Sequence, residues 1–390
     1  MRQPHCTITP AVVRATARQA LQHALPWEGY GRLVSAARLL DLLLLLAALR
    51  SSLSAVVRRF RFGFSHETAR KAVRANLPGL DRLTAGLVAA LYAFAGRRWQ
   101  KRRWDVAIDL HYAPFYGDRS AAGVVGGPAK QGTKYFYAYA TAVLLHRRHR
   151  YTVGLLPFAK GLKPHQVVAA LLDQMAARGL RLRGVALDSG FDSGETILLL
   201  QQRGLAYVVP LRRKGQGTNR RNACFALPVG TVTEVDWVTE KTGRPVRTAA
   251  VVGRRPGEDR VRVYAFGGWP TRAAQAALGR ARQAKRAYRR RYGIETSYRQ
   301  MNEGKGQTTK KDAAYRLLLV GLALLLRQVW VWLTWQVARD RGARPRQWLE
   351  ELPLRRLAEW LADALKGRYK ERRAIDLHQP LLPLPGGPQL

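Results

Sequence analysis

The sequence predicts an α/β fold: a mixed sheet flanked by helices, with a helical N-terminal region and a β-rich insertion. Three observations point to it. Between residues 104 and 210, three β-type runs come in succession and are followed by helix, strand, helix, strand, the order of a mixed-sheet α/β protein. Residues 212–270 then break that rhythm with β-type runs separated by glycines. Apolar residues in the first hundred positions recur at helical spacing.

Taken in order, Ala36 to Arg50 carries a dense leucine stripe, and Ser51 to Phe60 continues it with Val56, Val57 and Phe60. Gly63 interrupts, and Ser65 is placed as the N-cap of a basic helix with Glu67 in its first turn. Helix, short turn, basic helix is the order of a DNA-reading helix-turn-helix, and also of any small helical bundle. Pro78-Gly79 marks a turn before a helix from about Asp81 to Phe94, and Arg97 to Arg103 forms a basic hinge. Trp104 to Leu110 reads as a strand, Ala121 to Gly132 as a glycine-rich loop, and Lys134 to Leu145 and Arg150 to Phe158 as two more strands. Pro164 to Arg178 is an amphipathic helix, Leu182 to Leu187 a strand, Ser193 to Arg203 a helix, and Ala206 to Pro210 a strand. Within the insertion the β runs are Thr231 to Val238, Val246 to Val252 and Val261 to Phe266. A long helix follows from Thr271 to about Met301, and then an apolar one from Tyr315 to Val337. The Pro/Gly-rich tail from Pro380 to Leu390 is expected to fray. The organisation expected is therefore a helical region over 1–100, a core over 101–211, an insertion over 212–270, the returning core over 271–340 and a C-terminal helical extension over 341–390.

Charge narrows the function. Sixty-seven Lys and Arg against 26 Asp and Glu give a net charge of +41 over 390 residues, a self-repulsion best relieved beside a polyanion, nucleic acid before all others. The cations come in short groups along the whole length, which implies an extended footprint and not a basic tail. Cys6 and Cys224 are too few for a disulfide framework or a metal knuckle, consistent with a reducing, cytoplasmic interior. No signal-peptide run opens the chain. Leu317 to Val337 has the length of a membrane span, but Arg327 and Gln328 sit in its middle, so it is read as a core helix, and no membrane partner is expected.

In so basic a chain the positions of the acids carry information. Asp109 and Asp188 each end a predicted strand, where open α/β sheets place their ligands. Glu295 lies on the long helix, and Tyr288, Arg291, Glu295 and Asn302 are spaced to share one helix face. Singly, a strand-end Asp is most often a turn or cap residue, and a Glu among arginines a surface ion pair. Together, three acids on separate elements suggest a site for hard divalent cations acting at a phosphodiester, with the cations around them gripping the DNA backbone. His111 shares a strand face with Asp109. Asp192 is read as the cap of the helix beginning near Ser193, and Asp118 as a loop residue.

The segments V-A-I-D-L-H-Y-A-P-F-Y-G-D, V-A-L-D-S-G-F-D-S and Y-R-R-R-Y-G-I-E-T-S-Y-R-Q-M-N-E-G-K resemble the DDE transposases of bacterial and archaeal insertion sequences, over roughly Trp104 to Trp335. The order of elements resembles their RNase H-like core. The β-rich block is similar to the insertion domain of the branch whose third-acid helix carries a Tyr, Arg, Glu, Lys signature. The resemblance implies that Asp109, Asp188 and Glu295 are catalytic, metal-binding acids using two Mg²⁺ ions, with Mn²⁺ able to substitute. It implies that Tyr288 and Arg291 hold DNA phosphates. The signature Lys falls at Asn302, with Lys305 or Arg299 as candidate substitutes. Trp237, in the insertion, takes either the base-stacking role of an insertion-domain aromatic or a cross-strand packing role. The implied function is cut-and-paste transposition by a nucleoid-associated enzyme: cleavage at element ends, through a hairpin in part of this branch, then 3′-hydroxyl strand transfer into target DNA by a homodimer assembled on double-stranded DNA. The rival readings are a metal-dependent nuclease without strand transfer and an inactive, transposase-derived DNA-binding protein.

Overall fold

The structure is a computed structural model that describes residues 7–94, 99–146, 150–214, 220–239, 242–254, 257, 259–269, 276–340 and 352–372. The arginines at 97 and 147 and the tail from Pro380 lie outside the described residues.

Five helices open the chain: α1 (Pro10–Ala24), α2 (Ala36–Ala48), α3 (Leu53–Arg59), α4 (His66–Asn76) and α5 (Leu80–Ala93). Hydroxyl caps start the first four. Thr9, Ser35, Ser52 and Ser65 each accept the backbone N–H three residues on, at 3.1–3.3 Å. The leucines of α2 are buried all round, because α1, α3 and the late helices α10 (Ala313–Asp340) and α11 (Leu354–Lys366) enclose it. Asp41 on α2 is fully buried, held by Arg14 at 2.8 Å and the Tyr369 hydroxyl at 2.9 Å, and so ties α1 and the C-terminal segment to α2.

The remaining elements are β1 (Arg103–Pro114), β2 (Val125–Lys130), β3 (Thr133–Leu144), β4 (Thr152–Phe158), α6 (Pro164–Ala176), β5 (Arg181–Leu187), α7 (Gly194–Gln202), β6 (Ala206–Pro210), α8 (Arg220–Ala223), β7 (Val232–Val238), β8 (Pro245–Arg254), β9 (Val261–Gly267) and α9 (Ala276–Asn302). The strands form one nine-stranded sheet in the order β2-β3-β1-β5-β6-β9-β8-β7, with β4 also on β3. β1, β3 and β4 are antiparallel neighbours, while β5 and β6 run parallel to β1, the RNase H-like arrangement. The described residues of 212–270 form β7, β8 and β9, and these strands continue the central sheet: β9 pairs antiparallel with β6, and β8 and β7 follow. β2 corrects the expectation of a loop over Ala121–Gly132. Its V-G-G-P-A-K sequence shows no alternation because it is a mostly exposed edge strand that needs none.

Alternation along β1 separates two cores. Val106 and Ile108 face the larger one, built from the N-terminal helices, α6, α7 and α10. Ala107 faces the smaller, where Ala281, Ala284 and Ala287 bring α9 close onto the sheet. α10 is long and apolar enough to cross a membrane, yet 94% of its most apolar window is buried within the fold. Its polar centre explains its place there. Arg327 donates to the Arg150 carbonyl at 2.8 Å and to the Gln300 side chain at 3.2 Å. The Gln328 amide nitrogen donates to the carbonyls of Leu91 (3.0 Å) and Thr152 (3.2 Å), and its oxygen accepts from Thr152 N–H (3.1 Å). Gln328 thus joins α10 to α5 and β4. Gln328→Leu leaves these buried groups without a partner and is expected to cost about 2–3 kcal/mol, read by urea unfolding.

Candidate active site

β1 and β5 run parallel with Ile108 opposite Leu187, so the next residues, Asp109 and Asp188, lie side by side. Asp188 follows the end of β5 as expected, but Asp109 does not end its strand: β1 continues to Pro114 because β3 pairs with it from Val106 to Pro114, Asp109 opposite Thr141. Asp109 has the parity of Ala107, and Asp188 that of Ala186, so both point to the α9 face. α9 crosses that face and contributes Arg291 and Glu295, one turn apart.

The three acids meet around one guanidinium. Arg291 donates to Asp109 Oδ2 at 3.1 Å and to Glu295 Oε1 at 3.3 Å, and lies 3.8 Å from Asp188 Oδ1. Arg291 is 4% exposed and packs over the rings of Tyr288 and Tyr292. Asp109 is nearly as buried, whereas the side chains of Asp188 and Glu295 are 39% and 49% exposed and form the open side of the site. Burial pushes the Asp109 carboxyl up to about 7; Arg291 opposes the rise, and the charges of Asp188 and Glu295 add to it. Burial works against the charge of Arg291, but Tyr288 and the three carboxylates outweigh it, so its pKa is raised.

Tyr298 fixes the sheet-to-helix spacing. Its hydroxyl donates to the Asp109 carbonyl at 3.0 Å and lies 2.8 Å from Thr141 Oγ1, on the strand paired with β1. Seven residues after Arg291, it belongs to the face already marked by the acid and the arginine, and the spacing could have revealed it. Gly293 on the same helix leaves room for the Arg150 guanidinium, which passes where a Cβ would lie.

Three carboxylates on separate elements, already gathered around a positive group, are hard oxygen donors that suit Mg²⁺ or Mn²⁺. Among the described residues no three acidic, His or Cys side chains lie close enough to share one ion, since Arg291 stands between the acids.

The family profile described as Transposase DDE domain matches residues 104–326, more than half of the chain. The chain belongs to the DDE transposase family. It is accordingly a DNA transposase, an enzyme of phosphodiester chemistry, and DDE domains generally act with divalent metal ions. Among solved structures, the cryo-EM structure of a piggyBac transposase synaptic complex with hairpin DNA is similar at a TM-score of 0.48 and 12% identity, over 94% of this chain and 75% of that one. A search of curated proteins found no match.

Other expected site residues of the transposase fall as follows. Tyr288 is buried beside Tyr264 and Tyr292, its hydroxyl pushed up to about 12 chiefly by burial, so it faces Arg291 and not solvent. Arg299 and Asn302 are exposed on the last turns of α9, and Lys305 is half-buried in the loop beyond. Trp237 on β7 is partly buried with the Arg221 guanidinium 5.0 Å from its ring centre, a packed position that leaves little of that face open. His111 is buried, its ring 4.9 Å from that of Tyr298. Asp118 closes its own loop by accepting from Ser120 N–H at 2.9 Å.

Asp192 corrects its reading as a helix cap. Ser193 caps α7, accepting from Thr196 N–H at 3.1 Å. Asp192 is buried instead, accepting from Arg212 N–H at 2.6 Å and from the Arg221 guanidinium. It pins the segment that leaves β6 to α8, and burial raises its pKa.

Proposed function

We propose that Asp109, Asp188 and Glu295 are the catalytic acids of a cut-and-paste transposase that cleaves at element ends and joins the freed 3′-hydroxyl to target DNA. The observation that supports it is the convergence of three acids from β1, β5 and α9 on one guanidinium in a protein of charge +41. The three carboxylates would hold two divalent cations, Mg²⁺ or, in its place, Mn²⁺. Such ions, when bound, activate the attacking oxygen and offset charge on the leaving one.

The chain's own residues do the rest. Asp109, buried midway along β1 with its carbonyl held by Tyr298, sets the fixed side of the site. Asp188 and Glu295 form the side open to DNA. Arg291 keeps the acids gathered and offers a donor to a phosphate. In the first step water adds to phosphorus and the 3′ oxygen leaves as a hydroxyl; in the second that hydroxyl forms a new bond to a target phosphorus and a target 3′ oxygen leaves. Both are in-line displacements, so one site serves both. Two ends need two sites, hence a homodimer on double-stranded DNA, acting in the cytoplasm on the nucleoid. The N-terminal helices, α3 and α4 among them, take the role of end recognition.

The experiment is cleavage of DNA that carries the sequences flanking the coding segment, with Mg²⁺ or with chelator. Cleavage in chelator would count against this reading. Tyr298→Phe is expected to leave the fold and DNA binding intact while lowering cleavage by roughly tenfold, about 1.4 kcal/mol of barrier, because Asp109 loses its anchor.

A further inference from the structure

Beside the acids lies a cavity of about 980 Å³ whose chemistry the cleavage reading does not use. Its walls come from the α2–α3 corner, α4, the β2–β3 turn, the end of β1, the loop after α9 and the start of α10. Arg50, Arg70, Lys130, Lys305, Lys310 and Arg316 line it, and among the described residues no Asp or Glu does. Lys305 is the innermost of these cations in electrostatic terms. Burial lowers its pKa, and Arg316, Arg50 and Lys130 lower it further. A half-buried lysine facing three other cations is a costly arrangement for the protein alone and a favourable one around an anion.

The cavity is built, not incidental. Among the described residues the non-glycine positions with left-handed backbone are Arg50 (φ 51°) and Gln131 (φ 50°), and both line it. Arg50 occupies the position after a helix end where glycine is usual, so a strained backbone is kept to place a guanidinium there. Gln307 N–H donates to the Ser51 carbonyl at 3.0 Å, tying the loop after α9 to the α2–α3 corner. Gly306 permits that approach, since a Cβ there would come within 2.1 Å of Leu46. Two buried polar atoms on the lining, His111 Nε2 and the Tyr139 hydroxyl, have no protein partner. His111 follows Asp109 by two residues on the same strand face, so the cavity opens next to the acids.

We propose that this cavity binds a single DNA strand that has parted from its duplex beside the acid cluster, with Lys305 and Arg50 on its phosphates. A duplex presents its phosphates on the outside of a stiff rod, which cannot follow a cavity inward to Lys305. A lone strand can, and a base can lie against the half-buried ring of Tyr112 on the same lining. The inference rests on the proposed function for its substrate, but its test does not need cleavage.

The test is binding of a fluorescent single-stranded oligonucleotide and of a blunt duplex to the full chain in chelator, across a salt series. Lys305→Met is expected to weaken single-strand binding roughly tenfold and to reduce the salt slope by about 0.7. Duplex binding should be unchanged, and Lys305→Arg should restore the single-strand affinity. Lys305→Met should also raise the unfolding temperature of the free protein, because it relieves repulsion. If Lys305→Met folds poorly, Arg50→Gly, which relaxes the backbone, gives the same comparison. In a folded variant, unchanged single-strand affinity or equal losses on single strand and duplex would overturn the proposal. A protein that binds single strands through Lys305 yet cleaves nothing would contradict the proposed function alone.

Discussion

Asp109→Asn, Asp188→Asn and Glu295→Gln are each expected to lower DNA cleavage by roughly 10³-fold or more, about 4 kcal/mol of barrier, with DNA binding nearly intact. Each amide keeps the shape of the side chain and removes one negative donor from a site of three. DNA binding survives because it draws on cations spread over the whole chain, of which these acids are no part. The three should not differ greatly in activity, since all act as one unit, but they should differ in stability. Asp109→Asn removes a buried carboxylate paired with Arg291, whereas Asp188 and Glu295 are substantially solvated. A gel cleavage assay and a binding titration on the same preparations separate the two effects. Cleavage at the wild-type rate by any of the three variants would remove that residue from the site.

Arg291→Ala is expected to have the second large effect, and on stability as well as activity. Without the guanidinium, three carboxylates face one another across the space it occupied, and Asp109 is left buried without its partner. Breaking such a pair costs about 3 kcal/mol. Added Mg²⁺ should raise the unfolding temperature of Arg291→Ala more than that of the wild type, because in the variant the acids have no other positive charge among them. Arg291→Lys should keep part of the stability and lose most of the cleavage, since a point-like ammonium cannot bond both Asp109 and Glu295 as the planar guanidinium fork does. Equal stabilisation of wild type and Arg291→Ala by Mg²⁺ would contradict this view of the arginine.

The sheet was legible because buried strands such as β3 and β6 are runs of β-branched and aromatic residues between turn signals, and the acid face of α9 because helical spacing is periodic. β2 was not, since an exposed edge strand carries no burial pattern. Nor was the joining of β7–β9 to the main sheet: β9 pairs with β6 across more than fifty intervening residues, and nothing local specifies a long-range pairing. Asp192 looked like a cap because caps are read from neighbours, whereas its partner Arg221 lies 29 residues on. Asp188 could be named from its strand end, whereas β1 runs five residues past Asp109, and the arginine's place between the acids had no local signal. The basic cavity was invisible for the same reason, as its cations come from five separated segments.

The most direct test mixes the purified chain, DNA carrying the coding segment with its flanks, and a target plasmid in Mg²⁺. The expected result is release of the segment and its covalent joining to the plasmid through 3′-hydroxyls, with both products absent for Asp109→Asn and in chelator. Cleavage or joining that persists in Asp109→Asn or in chelator would contradict a single three-carboxylate site for both steps.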